Sequence, residues 1–144
     1  MIFLTQARKD NEERMKITFT EEIPKAQSIY ELYDALDWND FLKLSAEQLK
    51  TALEQSFMSL YAYDGERLVA TGRIVSDGVI SAYLCGLGVV PEYRNKGIGS
   101  EIVKKLAAHC KAHNLHFQFF CNDELVPYYE KLGFKVFASG MKLE

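Results

Sequence analysis

The chain has 144 residues, 48% hydrophobic and 26% charged, with a formal net charge of −3. That length allows one compact domain, able to bury roughly two-thirds of its unfolded surface without disulfides or a metal. The average composition excludes disorder, collagen and coiled coil, and the acidic balance argues against binding nucleic-acid phosphates as the main task.

Residues 1–14 fit the rest poorly, since Arg8 to Arg14 is almost entirely charged and has no apolar period. They are read as an added arm, with a single domain expected over residues 15–144. Met15 to Thr20 alternates polar and apolar, as a half-buried strand does. Pro24 opens a helix running to about Leu36, with Ile29, Leu32, Tyr33 and Leu36 at helical spacing. Asp37 to Asp40 breaks it. Ser45, with Gln48 three residues on, forms a capping-box pattern for a second helix that carries Leu49, Ala52 and Leu53 inward.

Strands follow. Phe57 to Tyr63 and Leu68 to Val75 flank the hairpin turn Asp64-Gly65, and Asp77-Gly78 closes the second of them. Val79 to Val90 is a long apolar run whose Gly86 and Gly88 mark a bulge or the close approach of another backbone, and Pro91 ends it. Gly97 to His113 reads as a helix with Ile98, Ile102, Val103, Leu106 and Cys110 on one face, stopped by Asn114. Leu115 to Cys121 reads as a buried strand and Glu124 to Leu132 as a short helix closed by Gly133. Two further strands are expected at Phe134 to Phe137 and Met141 to Leu143. The order β-α-α-β-β-β-α-β-α-β gives an α/β (α+β) fold, a mixed sheet layered with helices.

Cys85, Cys110 and Cys121 form an odd set without a CxxC pair, and are read as free thiols in a reducing cytoplasm. No apolar run reaches the ~18–20 residues that span a bilayer, so no membrane association is expected. Met1 to Leu4 is too short for a signal-peptide core. His109 and His113 stand four residues apart on one helix, but no glutamate follows the first and no further ligand is evident, so no metal is expected.

The informative stretch is Val89-Val90-Pro91-Glu92-Tyr93-Arg94-Asn95-Lys96-Gly97-Ile98-Gly99, between a predicted strand and a predicted helix. Free backbone N–H groups at the positive end of a helix suit a phosphate or pyrophosphate. Gly97 and Gly99 allow close backbone approach, and Arg94 and Lys96 add charge. A Walker loop is excluded because Lys96 precedes Gly97 instead of following it. The dinucleotide fingerprint is excluded because position 102 is Ile102.

Arg94-x-x-Gly97-x-Gly99 after Val89-x-Pro91 resembles the coenzyme A pyrophosphate loop of the GNAT superfamily of acyl-CoA-dependent N-acetyltransferases. Downstream, Asn122-Asp-Glu-Leu-Val-Pro-Tyr-Tyr-Glu-Lys-Leu-Gly-Phe134 resembles that family's Asn…Tyr-Glu-Lys-x-Gly-Phe segment at the same spacing. The resemblance covers about Met15 to Glu144. Gly72-Arg73-x-x-x-Asp77-Gly78 and Gly140-Met141 resemble a subgroup of small bacterial enzymes akin to plant arylalkylamine (serotonin-type) acetyltransferases.

The resemblance implies a central sheet splayed at its fourth and fifth strands, with helices on both faces. It implies acetyl transfer from acetyl-CoA to a primary amine by direct attack. Arg94, Asn95, Lys96, Gly97, Ile98, Gly99 and Ser100 would hold the pyrophosphate. The backbone of Leu87, Gly88 and Val89 would pair with the pantetheine amides, an N–H at or near Val89 serving the oxyanion. Tyr129 would be the general acid for the leaving thiolate, and Asn122 would contact the cofactor or hold a water. Several members carry a basic glutamate on the central strand; here that position is Tyr83. Asp77 is the replacement candidate, as base or as anchor for a cationic substrate, and a turn aspartate before Gly78 is the plain alternative. Trp38, with Phe41 and Phe57, would wall the acceptor site beside Tyr83 and Asp77. The acceptor would be a small amine, an arylalkylamine or another cationic amine, or a protein amine. Dimers are common in the family, so a homodimer is implied. The rival reading is a module of the same fold that binds acyl-CoA without turnover.

Overall fold

A computed structural model describes residues 16–144; the arm expected over residues 1–14 lies outside the described residues. Five strands form one sheet in the order β1-β2-β3-β4-β5. They are β1 (Ile17–Thr20), β2 (Met58–Asp64), β3 (Arg67–Ser76), β4 (Ser81–Val89) and β5 (His116–Gln118). The first three pairings are antiparallel and β4–β5 is parallel. The helices are α1 (Ala26–Ala35), α2 (Asn39–Leu42), α3 (Ala46–Glu54), α4 (Ile98–Ala112) and α5 (Val126–Glu130).

Local chemistry sets the boundaries. The capping box forms as expected: Gln48 N–H donates to Ser45 Oγ at 3.2 Å and Ser45 N–H donates to Gln48 Oε1 at 2.9 Å. Asp37, with φ 60°, turns the chain out of the first helix, and Asn114, with φ 56°, stops α4. The break at Asp37 leads into the one-turn α2 (Asn39–Leu42), closed by Lys43 in the left-handed region.

Helices cover both faces. On β3, Gly72 turns to α4, where an added Cβ would meet Ile102 Cγ2 at 2.8 Å. Strand alternation turns the next residue, Arg73, to the α1 side. Ile102, Val103, Leu106 and Cys110 of α4 bury fully on one face, as do Ile29 of α1 and Leu49 and Leu53 of α3 on the other.

Two features position the site. First, β4 carries one extra residue against β3, because Thr71 faces Gly88 while Arg73 faces Cys85. The bulge contains Gly86 at φ +57°, a conformation that costs a side-chain-bearing residue strain. Second, the β4–β5 pairing ends at Tyr83↔Gln118. Beyond it Leu84 to Val89 has no β5 partner, which is the expected splay.

The expectation of strands at Phe134–Phe137 and Met141–Leu143 is corrected: neither segment is a strand. Alternating apolar residues become a strand only where a neighbouring backbone edge receives them. The β5 edge extends over three residues instead of the seven expected from Leu115 to Cys121. Val136, Phe137, Met141 and Leu143 are accordingly exposed.

Candidate active site

The loop after β4 folds as a short 3-10 turn, Pro91–Tyr93, that leads into α4. Ile98 is 5% exposed and anchors the first turn of α4 in the core, while Arg94, Asn95, Lys96 and Gly97 stay at the surface. Asn95 and Gly97 both take left-handed backbone angles, φ 62° and 83°. Alternating left-handed residues turn successive N–H groups to one side, as anion-binding nests do. The N-cap is Gly97, and no side chain caps the α4 N-terminus. Its first-turn donors are therefore free for a ligand.

The basic residues of the loop divide their work. Arg94 Nε donates to Val89 O at 2.9 Å, so this side chain staples the loop to the end of β4. Lys96 Nζ lies 5.2 Å from the centre of the Tyr93 ring, and Arg67 stacks on the same ring at 5.4 Å. The Tyr93 hydroxyl donates to Asp64 at the end of β2.

The splay opens a cavity of ≈ 430 Å³ lined from α1, α2, β3, β4 and the segment around α5. Of the expected site residues, Leu87, Trp38, Asn122 and Tyr129 line it. Trp38 packs across β4: a Cβ on Gly88 would stand 2.6 Å from two of its ring carbons. Its ring meets Tyr33 edge-on at 5.1 Å. Phe41 lines the same cavity, whereas Phe57 lies beside Gly78 and His109, at the other end of β4.

Tyr129 stands between this cavity and a second one of ≈ 430 Å³ bounded by residues 134–140. Its ring packs on Phe119 at 4.5 Å. Burial, with smaller contributions from Tyr128 and Cys121, pushes its hydroxyl up to about 12. A phenol so placed keeps its proton at neutral pH. Tyr128, next in the chain, points elsewhere: its hydroxyl lies 2.6 Å from Ser100 Oγ. Asn122 precedes the 3-10 turn Asp123–Leu125, but its side chain makes no capping bond; only its carbonyl accepts, from Leu125 N–H.

Two expected residues are not brought to the cavity. Asp77 sits at the β3–β4 turn, where its Oδ1 accepts from Val79, Ile80 and Ser81 N–H at 2.9, 2.7 and 3.3 Å. Those bonds, Ile80's first, hold its carboxyl below the usual range. Tyr83 sits at the closed end of the splay, paired with Gln118, and is 38% exposed.

Arg73 and Tyr33, absent from the expected site residues, also line the cavity. Arg73 had a legible signal: it is the one charge inside the apolar run Leu68 to Val75. Among the described residues two buried side-chain polar atoms lack a partner, Thr71 Oγ1 and Arg73 Nε, both on β3 and two residues apart.

The model of the acetyltransferase (GNAT) family matches residues 13–134. GCN5-related N-acetyltransferase 2, chloroplastic, of Arabidopsis thaliana is 29% identical over 85 residues, 55% of this chain and 33% of that protein. The chain spans 32% to 54% of the length of the curated relatives it matches. Among solved structures, the GNAT-family acetyltransferase SP0256 of Streptococcus pneumoniae TIGR4 aligns with TM-score 0.70 at 28% identity, covering 89% of this chain and 96% of that one. A predicted acetyltransferase of Clostridium acetobutylicum solved with acetyl-CoA aligns with TM-score 0.64 at 16% identity, covering 89% and 96%. With most of its length matched by the family model, and with the splayed sheet and uncapped α4 loop described above, this chain belongs to the acetyltransferase (GNAT) family.

Proposed function

We propose that the chain transfers an acetyl group from acetyl-CoA to a primary amine by direct attack, with Tyr129 as general acid. The observation that carries this reading is the end of β4–β5 pairing at Tyr83↔Gln118. It leaves Leu84–Val89 without a β5 partner, and Leu84 to Leu87 line a cleft with Tyr129. Acetyl-CoA supplies the acyl group as a thioester. The free N–H groups at the α4 N-terminus bind its pyrophosphate, and Gly99 keeps the approach narrow in side chains. The open edge of β4 supplies N–H and C=O groups to the pantetheine amides, as one strand does to another. An N–H of the same edge faces the thioester oxygen, where negative charge gathers in the tetrahedral state.

The amine must attack as the neutral base, and a free alkylamine has a pKa of about 10. Its nitrogen bonds to the carbonyl carbon and the C–S bond breaks. Tyr129 gives its proton to the departing sulfur, and the amine loses one to solvent. The cavity of ≈ 430 Å³ and its aromatic wall suit a small acceptor. Asp77 receives no role in this scheme, because it is bound up in its own turn.

The test is calorimetric titration with acetyl-CoA, followed on the same sample by thiol release across an amine panel. Binding with amine-dependent release supports the transferase. Binding with no release from any amine moves the reading to an acyl-CoA-binding module, and no binding removes the assignment of the Arg94–Gly99 loop.

A further inference from the structure

The acceptor cavity holds a cation with no anion beside it. Arg73 is the one charged residue among the described residues lining that cavity. Its Nε is buried without a partner, and Nη1 reaches Ser56 Oγ only at 3.4 Å, the outer limit of a hydrogen bond. The ion pairs found among the described residues, Arg67–Glu92 and Lys105–Glu101, do not include it. A half-buried guanidinium with an unpartnered Nε and no counter-charge among the residues lining its cavity is costly to the fold, and a bound anion would offset that cost.

Its position is also informative. A Cβ on Gly86 would stand 3.6 Å from Arg73 Nε and 3.6 Å from the Tyr33 hydroxyl. Two donors therefore meet at the bulge of β4, where the sheet opens. Burial raises the Tyr33 pKa, against the charge of Arg73 and a hydrogen bond from it, so the phenol keeps its proton for a ligand. Trp38 and Phe41 supply aromatic wall nearby. The planar fork of a guanidinium matches carboxylate and phosphate oxygens in a way a lone ammonium does not.

We propose that the acceptor amine also carries an oxyanion, a carboxylate or a phosphate, which Arg73 binds at the Gly86 bulge with Tyr33 donating beside it. The aromatic wall then takes the acceptor's apolar part. A plain arylalkylamine, having no anion, leaves the guanidinium uncompensated. The proposal rests on the acetyltransferase reading for the amine, and on the cavity alone for the anion.

Trp38 is the single tryptophan of the chain and lines this cavity, so its fluorescence reports occupancy without turnover. The full chain, saturated with CoA, is titrated with two matched pairs free of indole: phenylalanine against phenethylamine, and phosphoethanolamine against ethanolamine. Thiol release from acetyl-CoA is then measured with the same four. In at least one pair the anionic member binds at least tenfold tighter, and the kcat/KM ratio follows. The pair that shows the larger preference tells carboxylate from phosphate. Arg73→Gln lowers that preference at least tenfold, about 1.4 kcal/mol. Arg73→Lys, which keeps the charge, retains part of it, and thermal melting of both variants separates loss of recognition from loss of fold.

Equal affinity within both pairs overturns the proposal, as does a preference that survives Arg73→Gln. An equal fall in kcat for both members of a pair, with the binding preference unmoved, also overturns it and assigns Arg73 to the thioester oxygen instead. Anion-selective binding with no thiol release from any amine leaves the anion site standing and removes the transferase reading. Release without anion preference does the reverse.

Discussion

The Tyr128 hydroxyl lies 2.6 Å from Ser100 Oγ, joining α5 to the first turn of α4. A Cβ on Gly99 would stand 3.6 Å from the same hydroxyl. The bridge therefore sets the width of the gap at the α4 N-terminus. One neutral hydrogen bond is worth roughly 0.5–1.5 kcal/mol. Tyr128→Phe is expected to raise the KM for acetyl-CoA about 2- to 10-fold and to leave kcat within about threefold. Steady-state kinetics with acetyl-CoA as the varied substrate checks this. A lower KM would mean that the bridge obstructs entry instead of preparing it.

Tyr129 faces the cleft and its neighbour does not, so the two tyrosines separate by mutation. Tyr129→Phe removes the proton donor while keeping the ring contacts with Phe119 and Phe134. We expect kcat to fall by about 10²-fold, within the range for loss of a general acid, with the KM for acetyl-CoA changed little. With its hydroxyl pushed up to about 12, Tyr129 stays protonated up to about pH 10. The wild-type rate should climb as the amine deprotonates and show no descending limb between pH 7 and 10. A limb with a midpoint near 8 would assign the acid to another group.

The sequence carried the parts of this molecule that are set locally. The Ser45–Gln48 box, the Asp64-Gly65 turn and the Asn114 stop each depend on residues a few positions apart, and each formed as read. The splay was legible through glycines, since Gly86 has the positive φ that its place in a long strand foreshadows. What failed depended on distant partners. Phe134–Phe137 has the alternation of a strand, but no edge receives it. Asp77 and Tyr83 were assigned by resemblance, yet Asp77 falls in the β3–β4 turn and Tyr83 at the closed end of the splay, and neither lines the cavity. Arg73 became a site residue only when the bulge, α1 and Ser56 were brought around it.

Asp77 belongs to the stability of the β3–β4 turn. Its Oδ1 accepts three backbone N–H groups, and these hold its carboxyl below the usual 3.8. A depressed folded pKa means that the stabilisation is present above the unfolded value and lost as pH falls through the folded one. Asp77→Ala should lower Tm at pH 7, and the gap from wild type should close as the pH drops below about 3.8. Amine-dependent kcat/KM should stay within about threefold. A loss of a hundredfold or more with Tm unchanged would return Asp77 to the acceptor chemistry.

Trp38 and Gly88 are packed so closely that neither can change alone. An alanine Cβ at position 88 would stand 2.6 Å from two Trp38 ring carbons and 2.9 Å from Leu36 Cδ1, inside any real contact. The ring is rigid and held edge-on against Tyr33, so the strain must move α1 or β4. Overpacking of this kind costs about 1–3 kcal/mol, a Tm loss of roughly 3–10 °C. Trp38→Ala leaves a void over the same glycine and is destabilising for the opposite reason. Combined, the two changes compensate, because the new methyl fills space the ring has left. The double mutant should therefore lose at least about 0.5 kcal/mol less than the sum of the singles, as contacting residues do. Thermal or denaturant melts of the four proteins measure that coupling. Additivity within about 0.3 kcal/mol would show that Trp38 does not rest on β4 in solution, and the aromatic wall of the acceptor cavity would have to be redrawn.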